Sequence, residues 1–84
     1  MKYTVYVLSS RVAKKSYVGF TNNLNKRLEE HNSGKSIFTK RFAPWEIVYT
    51  EEVENYMAGR KREKYLKSAS GRRVVLKKIF ENLV

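Results

Sequence analysis

Five residues, Arg11-Val12-Ala13-Lys14-Lys15, join two runs rich in β-branched and aromatic side chains, and this short connector constrains the fold more than any other feature of the chain. Residues 3–9 and 16–20 read as strands. So short a link pairs them as an antiparallel hairpin. Thr21-Asn22-Asn23 then offers helix N-caps, Leu24, Leu28 and His31 follow at helical spacing, and Asn32-Ser33-Gly34 ends that helix. Residues 35–44 are irregular and basic, stopped by Pro44. Trp45, Ile47, Tyr49 and Val53 share one parity, which predicts a third strand over 45–53. Glu54 or Asn55 caps a helix running to about Leu66, and Ser68-Ala69-Ser70-Gly71 breaks it. A last helix is expected over 72–83, where Val75, Leu76, Ile79, Phe80 and Leu83 form a stripe about 140° wide at the ideal 100° per residue. The order ββαβαα predicts an α+β fold, a small three-stranded and mainly antiparallel sheet flanked by helices, with strand order left open. At 84 residues the chain is expected to form a single domain over 1–84.

The charge balance points to a polyanionic partner. There are 18 Lys and Arg against 8 acids, a formal net charge of +10. Nucleic acid is the leading expectation, with an anionic membrane surface or an acidic protein as the alternatives. Cysteine is absent, which excludes disulfides and thiolate zinc sites and fits a reducing compartment. No segment approaches the roughly 20 apolar residues of a membrane span. The first residues lack the apolar core of a secretory signal, so cytoplasmic residence without a membrane partner is expected.

Five residues stand out as carriers of chemistry. Tyr6 and Tyr17 lie in the two hairpin strands, where alternation can set their hydroxyls side by side facing one cleft. Tyrosine is also an ordinary strand residue, and six are present. Gly19, two positions past Tyr17, either admits a close ligand backbone or marks a bulge. Arg27 and His31 are helical neighbours flanking the Leu24/Leu28 stripe, at the border between core and solvent. A guanidinium there either grips a phosphate through two hydrogen bonds or snorkels from the apolar stripe. Glu63 is the one acid among nine basic residues between Tyr56 and Phe80. A phosphate-binding surface gains nothing from a carboxylate unless it holds a hard divalent cation, which takes one or two carboxylates plus water and phosphate. The competing explanation is a helical ion pair with Lys67. Gly59, one turn earlier, would leave room beside the Glu63 carboxylate. Lys14, Lys15, Lys40, Arg41, Arg60, Arg62, Lys67, Arg72 and Arg73 are the expected phosphate contacts.

Together these residues resemble the GIY-YIG endonuclease superfamily, and within it the small stand-alone members related to the N-terminal nuclease domain of the excinuclease C subunit. Thr4-Val5-Tyr6 stands at the first motif and Tyr17-Val18-Gly19 at the second. The run from Thr21 to Asn32 is the most specific piece, and Arg62-Glu63-Lys64-Tyr65-Leu66-Lys67 matches the helix that carries the family's glutamate. The resemblance implies a divalent-metal-dependent DNA endonuclease, in DNA repair or recombination, with one Mg²⁺ or Mn²⁺ on Glu63. It implies that Arg27 neutralises charge on the phosphate, that Tyr6 or Tyr17 orients or deprotonates the attacking water with its phenolate favoured by Arg27 and the metal, and that His31 assists one of them. Branched or damaged DNA is the implied substrate, and a protein partner would supply specificity. The alternatives are a non-catalytic DNA- or RNA-binding module that keeps the fold, and a basic adaptor for an acidic protein.

Overall fold

Four consecutive residues, Val5-Tyr6-Val7-Leu8, are buried, as a strand must be when both its faces are covered. They lie in β1 (Tyr3–Ser10), and β1 is accordingly the central strand of the sheet in the computed structural model, which describes residues 2–82. β1 pairs antiparallel with β2 (Ser16–Thr21) on one side and with β3 (Trp45–Val53) on the other. The order β2-β1-β3 leaves β2 at an edge.

Helix α1 (Leu24–Asn32) starts where Asn23 accepts the Lys26 amide, and α2 (Tyr56–Lys67) where Asn55 accepts that of Ala58. A 3₁₀ turn, Lys40–Phe42, lies between α1 and β3. The C-terminal helical run, α3, begins earlier than the sequence predicts. Ser68 caps it by accepting the Gly71 amide, so Ala69–Gly71 is already helical. The expected four-residue break is therefore a single capping residue. A wider π-helical turn follows over Arg72–Leu76, and α3 ends with Lys77–Glu81. Leu83 of the expected stripe lies outside the described residues.

The single parity expected across 45–53 is split by a bulge. Tyr49 pairs with Val7 but Ile47 with Leu8, so β3 carries one extra residue there. Trp45 and Ile47 therefore face α1, whereas Tyr49 and Val53 face α2 and α3. Each face of the sheet has its own core. Val5, Val7 and Val18 pack with Leu66 and Leu76 on one side. Tyr6, Leu8 and Trp45 pack with Tyr17, Leu24 and Leu28 on the other.

Gly59 serves this packing. A side chain there would meet the Phe20 ring at 2.6 Å. The space that the sequence suggests for the Glu63 carboxylate is thus filled by Phe20, which also stacks with Tyr3 and Tyr56.

Candidate active site

Tyr6 points to the α1 face, opposite Gly19 in the hairpin register. A Cβ on Gly19 would stand 2.5 Å from the Tyr6 hydroxyl oxygen, so the missing side chain lets the Tyr6 ring lie across β2. Neither the ligand approach nor the bulge expected at Gly19 is its use. Tyr6 is also 1% exposed, so the expectation of two hydroxyls open to one cleft does not hold for it. Tyr17 is half-buried, with its ring centroid 6.3 Å from that of Tyr6.

His31 sits fully inside, not at the solvent border that the helical wheel suggests. Its Nε2 lies 3.1 Å from the Tyr6 hydroxyl and its Nδ1 2.8 Å from Thr39 Oγ1. Burial, with Arg27 adding to it, pushes its pKa down to about 4, so the ring is neutral at pH 7. A neutral imidazole has one N–H and one lone pair, so it donates on one side and accepts on the other. The hydroxyls of Tyr6 and Thr39 suit either direction. Thr39 is itself buried, and its carbonyl accepts the Trp45 indole N–H at 2.8 Å. Asn32 completes the frame. Its side chain takes the Trp45 amide and donates to the Trp45 carbonyl, tying the end of α1 to β3.

Arg27 is half-buried and pairs with Glu30 at 3.2 Å. Burial opposes its charge, but hydrogen bonding to Tyr6, Glu30 and Tyr17 more than offsets this and holds its pKa above the usual arginine value. Burial pushes the Tyr6 pKa up to about 12. Arg27 works against that rise, and the charges of Tyr17 and Glu63 add to it. Arg27 by itself therefore does not offset the burial of the Tyr6 hydroxyl.

Glu63 belongs to α2, which packs on the other face of the sheet, and its link to this group is Lys67. Its carboxylate holds Lys67 at 3.2 Å, and the Lys67 ammonium lies 5.5 Å from the centre of the Tyr17 ring. Arg60, Glu63, Lys64, Lys67 and Ser68 line a hollow of about 360 Å³. Tyr6, Tyr17 and His31 thus come together from two strands and α1, and Glu63 of α2 is linked to the Tyr17 ring through Lys67. Among the described residues no three His, Asp or Glu side chains cluster as a metal site.

The expected phosphate contacts divide. Lys14, Lys15, Lys40, Arg41, Arg60, Arg72 and Arg73 are exposed. Lys15 and Arg41 gather over the Phe42 ring, at 5.6 and 5.8 Å, which joins the hairpin turn to the 3₁₀ turn as one basic surface. Arg62 is instead tied to Glu51 of β3 at 2.6 Å, and Lys67 is held by Glu63.

The GIY-YIG catalytic domain profile matches residues 2–78. The chain belongs to the GIY-YIG family. A UPF0213 protein of Syntrophus aciditrophicus is 41% identical over 71 residues, which covers 82% of this chain and 80% of that one. Another, from Clostridium perfringens, is 39% identical over 64 residues, 75% of this chain and 68% of that one. A Giardia intestinalis homologue of structure-specific endonuclease subunit SLX1 is 39% identical over 49 residues, 55% of this chain but only 14% of that protein. The fold matches the solution NMR structure of a UPF0213 protein from Bacillus halodurans, with TM-score 0.55, 26% identity and coverage of 99% of this chain and 85% of that one. As a GIY-YIG domain the chain carries its second motif at Tyr17-Val18-Gly19, in edge strand β2.

Thr39 and Trp45 escape sequence reasoning as site residues. Thr39 lies in an irregular basic segment and is eight positions from the ring it holds, and no local pattern marks such a partner. The Lys67 contact with Tyr17 is missed too, because it crosses between elements on opposite faces of the sheet.

Proposed function

We propose that this chain is a divalent-metal-dependent DNA endonuclease that hydrolyses phosphodiester bonds. The observation that supports the reading is the buried Tyr6–His31–Thr39 chain with the Tyr17 ring against His31, and Lys67 linking that ring to Glu63. The net charge of +10 draws polyanions to the protein.

The residues fit a single Mg²⁺ or Mn²⁺. Glu63 offers a hard oxygen beside an open hollow, and Lys67 already stands against it as a cation. Such an ion, when bound, supplies Lewis-acid stabilisation of the phosphate and of the departing 3′ oxygen. Arg27 neutralises charge that grows on the phosphate, from a position held by Glu30. Tyr17, half-buried, orients the attacking water. Tyr6, buried and with its pKa raised, keeps its proton and positions Arg27 and His31. Similarity to a structure-specific endonuclease subunit homologue favours branched DNA, in repair or recombination, with a partner protein supplying specificity.

The ion pair between Lys67 and Glu63 favours a second reading, a module that binds DNA or RNA without cutting it. Incubation with supercoiled plasmid and branched DNA, with and without Mg²⁺ or Mn²⁺, separates the two. Metal-dependent nicking by the parent that Glu63→Ala abolishes, with DNA binding kept or improved, is expected. Equal cleavage by Glu63→Ala would defeat the metal assignment, and binding without cleavage would leave the second reading standing.

A further inference from the structure

Two large apolar side chains, Ile37 at 80% and Phe38 at 77% exposure, project from the segment between α1 and the 3₁₀ turn. Exposed apolar side chains standing together and rimmed by polar residues mark an interaction site. The next residue holds this pair in place. Thr39 is fully buried, its hydroxyl bonded to His31 and its carbonyl to the Trp45 indole. The Lys40 amide closes a further bond to the Ser36 carbonyl at 3.0 Å. The tip is therefore a fixed projection anchored on the same buried chain that holds Tyr6.

Two facts indicate what it meets. The Phe38 ring centroid lies 6.2 Å from that of Tyr17, so the projection borders the candidate active site. Lys35, Lys40 and Arg41 flank it, and residues 33–44 contain no acid. An apolar tip set in cationic surroundings suits a partner that has flat apolar faces on a polyanionic backbone, which describes an unpaired nucleotide.

We propose that Phe38 is a stacking wedge that receives an unpaired or unstacked base and thereby makes the site prefer nucleic acid with a bulge, gap or flap over continuous duplex. This rests on the nuclease reading above and adds its substrate class. An intact duplex keeps its bases stacked on one another, and opening it costs energy, whereas a bulged base is already free. A base on Phe38 delivers the adjoining phosphate toward Tyr17 and Arg27. Stacking is tolerant of base identity, so the selectivity is for structure and not for sequence.

The test is fluorescence anisotropy in EDTA, where cleavage cannot interfere, with one labelled duplex fully paired and another carrying a single bulged nucleotide. The exposed position makes Phe38 variants safe for folding, which circular dichroism verifies. Phe38→Ala is expected to weaken binding of the bulged duplex by about tenfold and of the paired duplex by less than about twofold. Phe38→Trp should retain the preference, and Phe38→Leu, apolar but without a π-face, should behave as Phe38→Ala. Equal losses on both duplexes, no loss on either, or a Leu variant equal to the parent would overturn the wedge; the last outcome would indicate a tip that meets a protein. The nuclease reading fails separately, through absent salt-dependent duplex binding or absent Glu63-dependent cleavage in the parent.

Discussion

On one face of β1, Val5 and Val7 meet Val18, Leu66 and Leu76, and the contacts are carbon on carbon. On the other, Tyr6 meets His31, His31 meets Thr39, and Thr39 meets Trp45, each through a hydrogen bond. Both faces are buried to the same depth, but they specify structure differently. The apolar face needs volume and shape and tolerates many ways of supplying them. The polar face needs every donor matched to an acceptor, because an unmatched buried group costs more than a made bond returns. Among the described residues no buried side-chain nitrogen or oxygen lacks a partner. The polar face is also the one that adjoins Tyr17, Arg27 and the Phe38 tip. Directional bonding there holds side chains at fixed positions, as a reacting site requires. The α2 and α3 face supplies apolar packing, and Lys67 of α2 reaches the Tyr17 ring.

The comparison breaks most visibly at the apolar face. Leu66→Ala removes a fully buried side chain from the centre of that core and is expected to cost about 2–5 kcal/mol of stability. Urea unfolding measures the loss, and cleavage per folded molecule at low temperature should stay near the parent rate. If stability holds but cleavage collapses, the division of labour between the faces is wrong.

Acid should strike the polar face through His31. His31 in the unfolded chain takes a proton near pH 6.5, but in the folded protein only near 4, because burial and Arg27 disfavour the cation. Stability contributed by neutral His31 is therefore full above about pH 6.5 and falls as the pH drops toward 4, by about 3 kcal/mol in all. Glu30 acts in the opposite sense and moderates the loss. Urea midpoints across that window, for the parent and for a variant with His31 replaced by Gln, provide the measurement. The parent should lose stability more steeply than the variant. Parallel curves would show that His31 does not hold a depressed pKa.

A smaller change sharpens the contrast. Tyr6→Phe keeps the ring but removes one partner of His31 Nε2, leaving a buried nitrogen unmatched, for a cost of about 1–3 kcal/mol. Thermal unfolding reads it. A variant as stable as the parent would mean that the Tyr6–His31 bond adds nothing to the face.

Much of this architecture is legible in the sequence. The hairpin follows from a five-residue connector, and the starts of α1 and α2 follow from Asn23 and Asn55, because these signals act within a few residues of themselves. The closeness of Tyr6, Tyr17 and His31 was legible as well, through the resemblance in motifs. What stayed hidden depends on contacts across the fold. One extra residue in β3 reverses which face Tyr49 meets, and no local pattern announces it. The burial of Tyr6 depends on Gly19 lying opposite it, and the burial of His31 on Thr39 closing over it. The pairing of Arg62 with Glu51 takes a cation off the expected phosphate surface, and only the packing of α2 on β3 reveals that.

The central claim is that residues from both faces form one reacting site at the β2 edge. A double-mutant cycle on single-turnover cleavage of a branched DNA tests it most directly, with Tyr17→Phe, Glu63→Gln and the two combined. Groups acting on one phosphate lose their effects together, so the double variant should be no slower than the worse single variant, even where each single change slows cleavage tenfold or more, by about 1.4 kcal/mol or above. Effects that multiply, or single variants that cleave at the parent rate, would contradict a shared site.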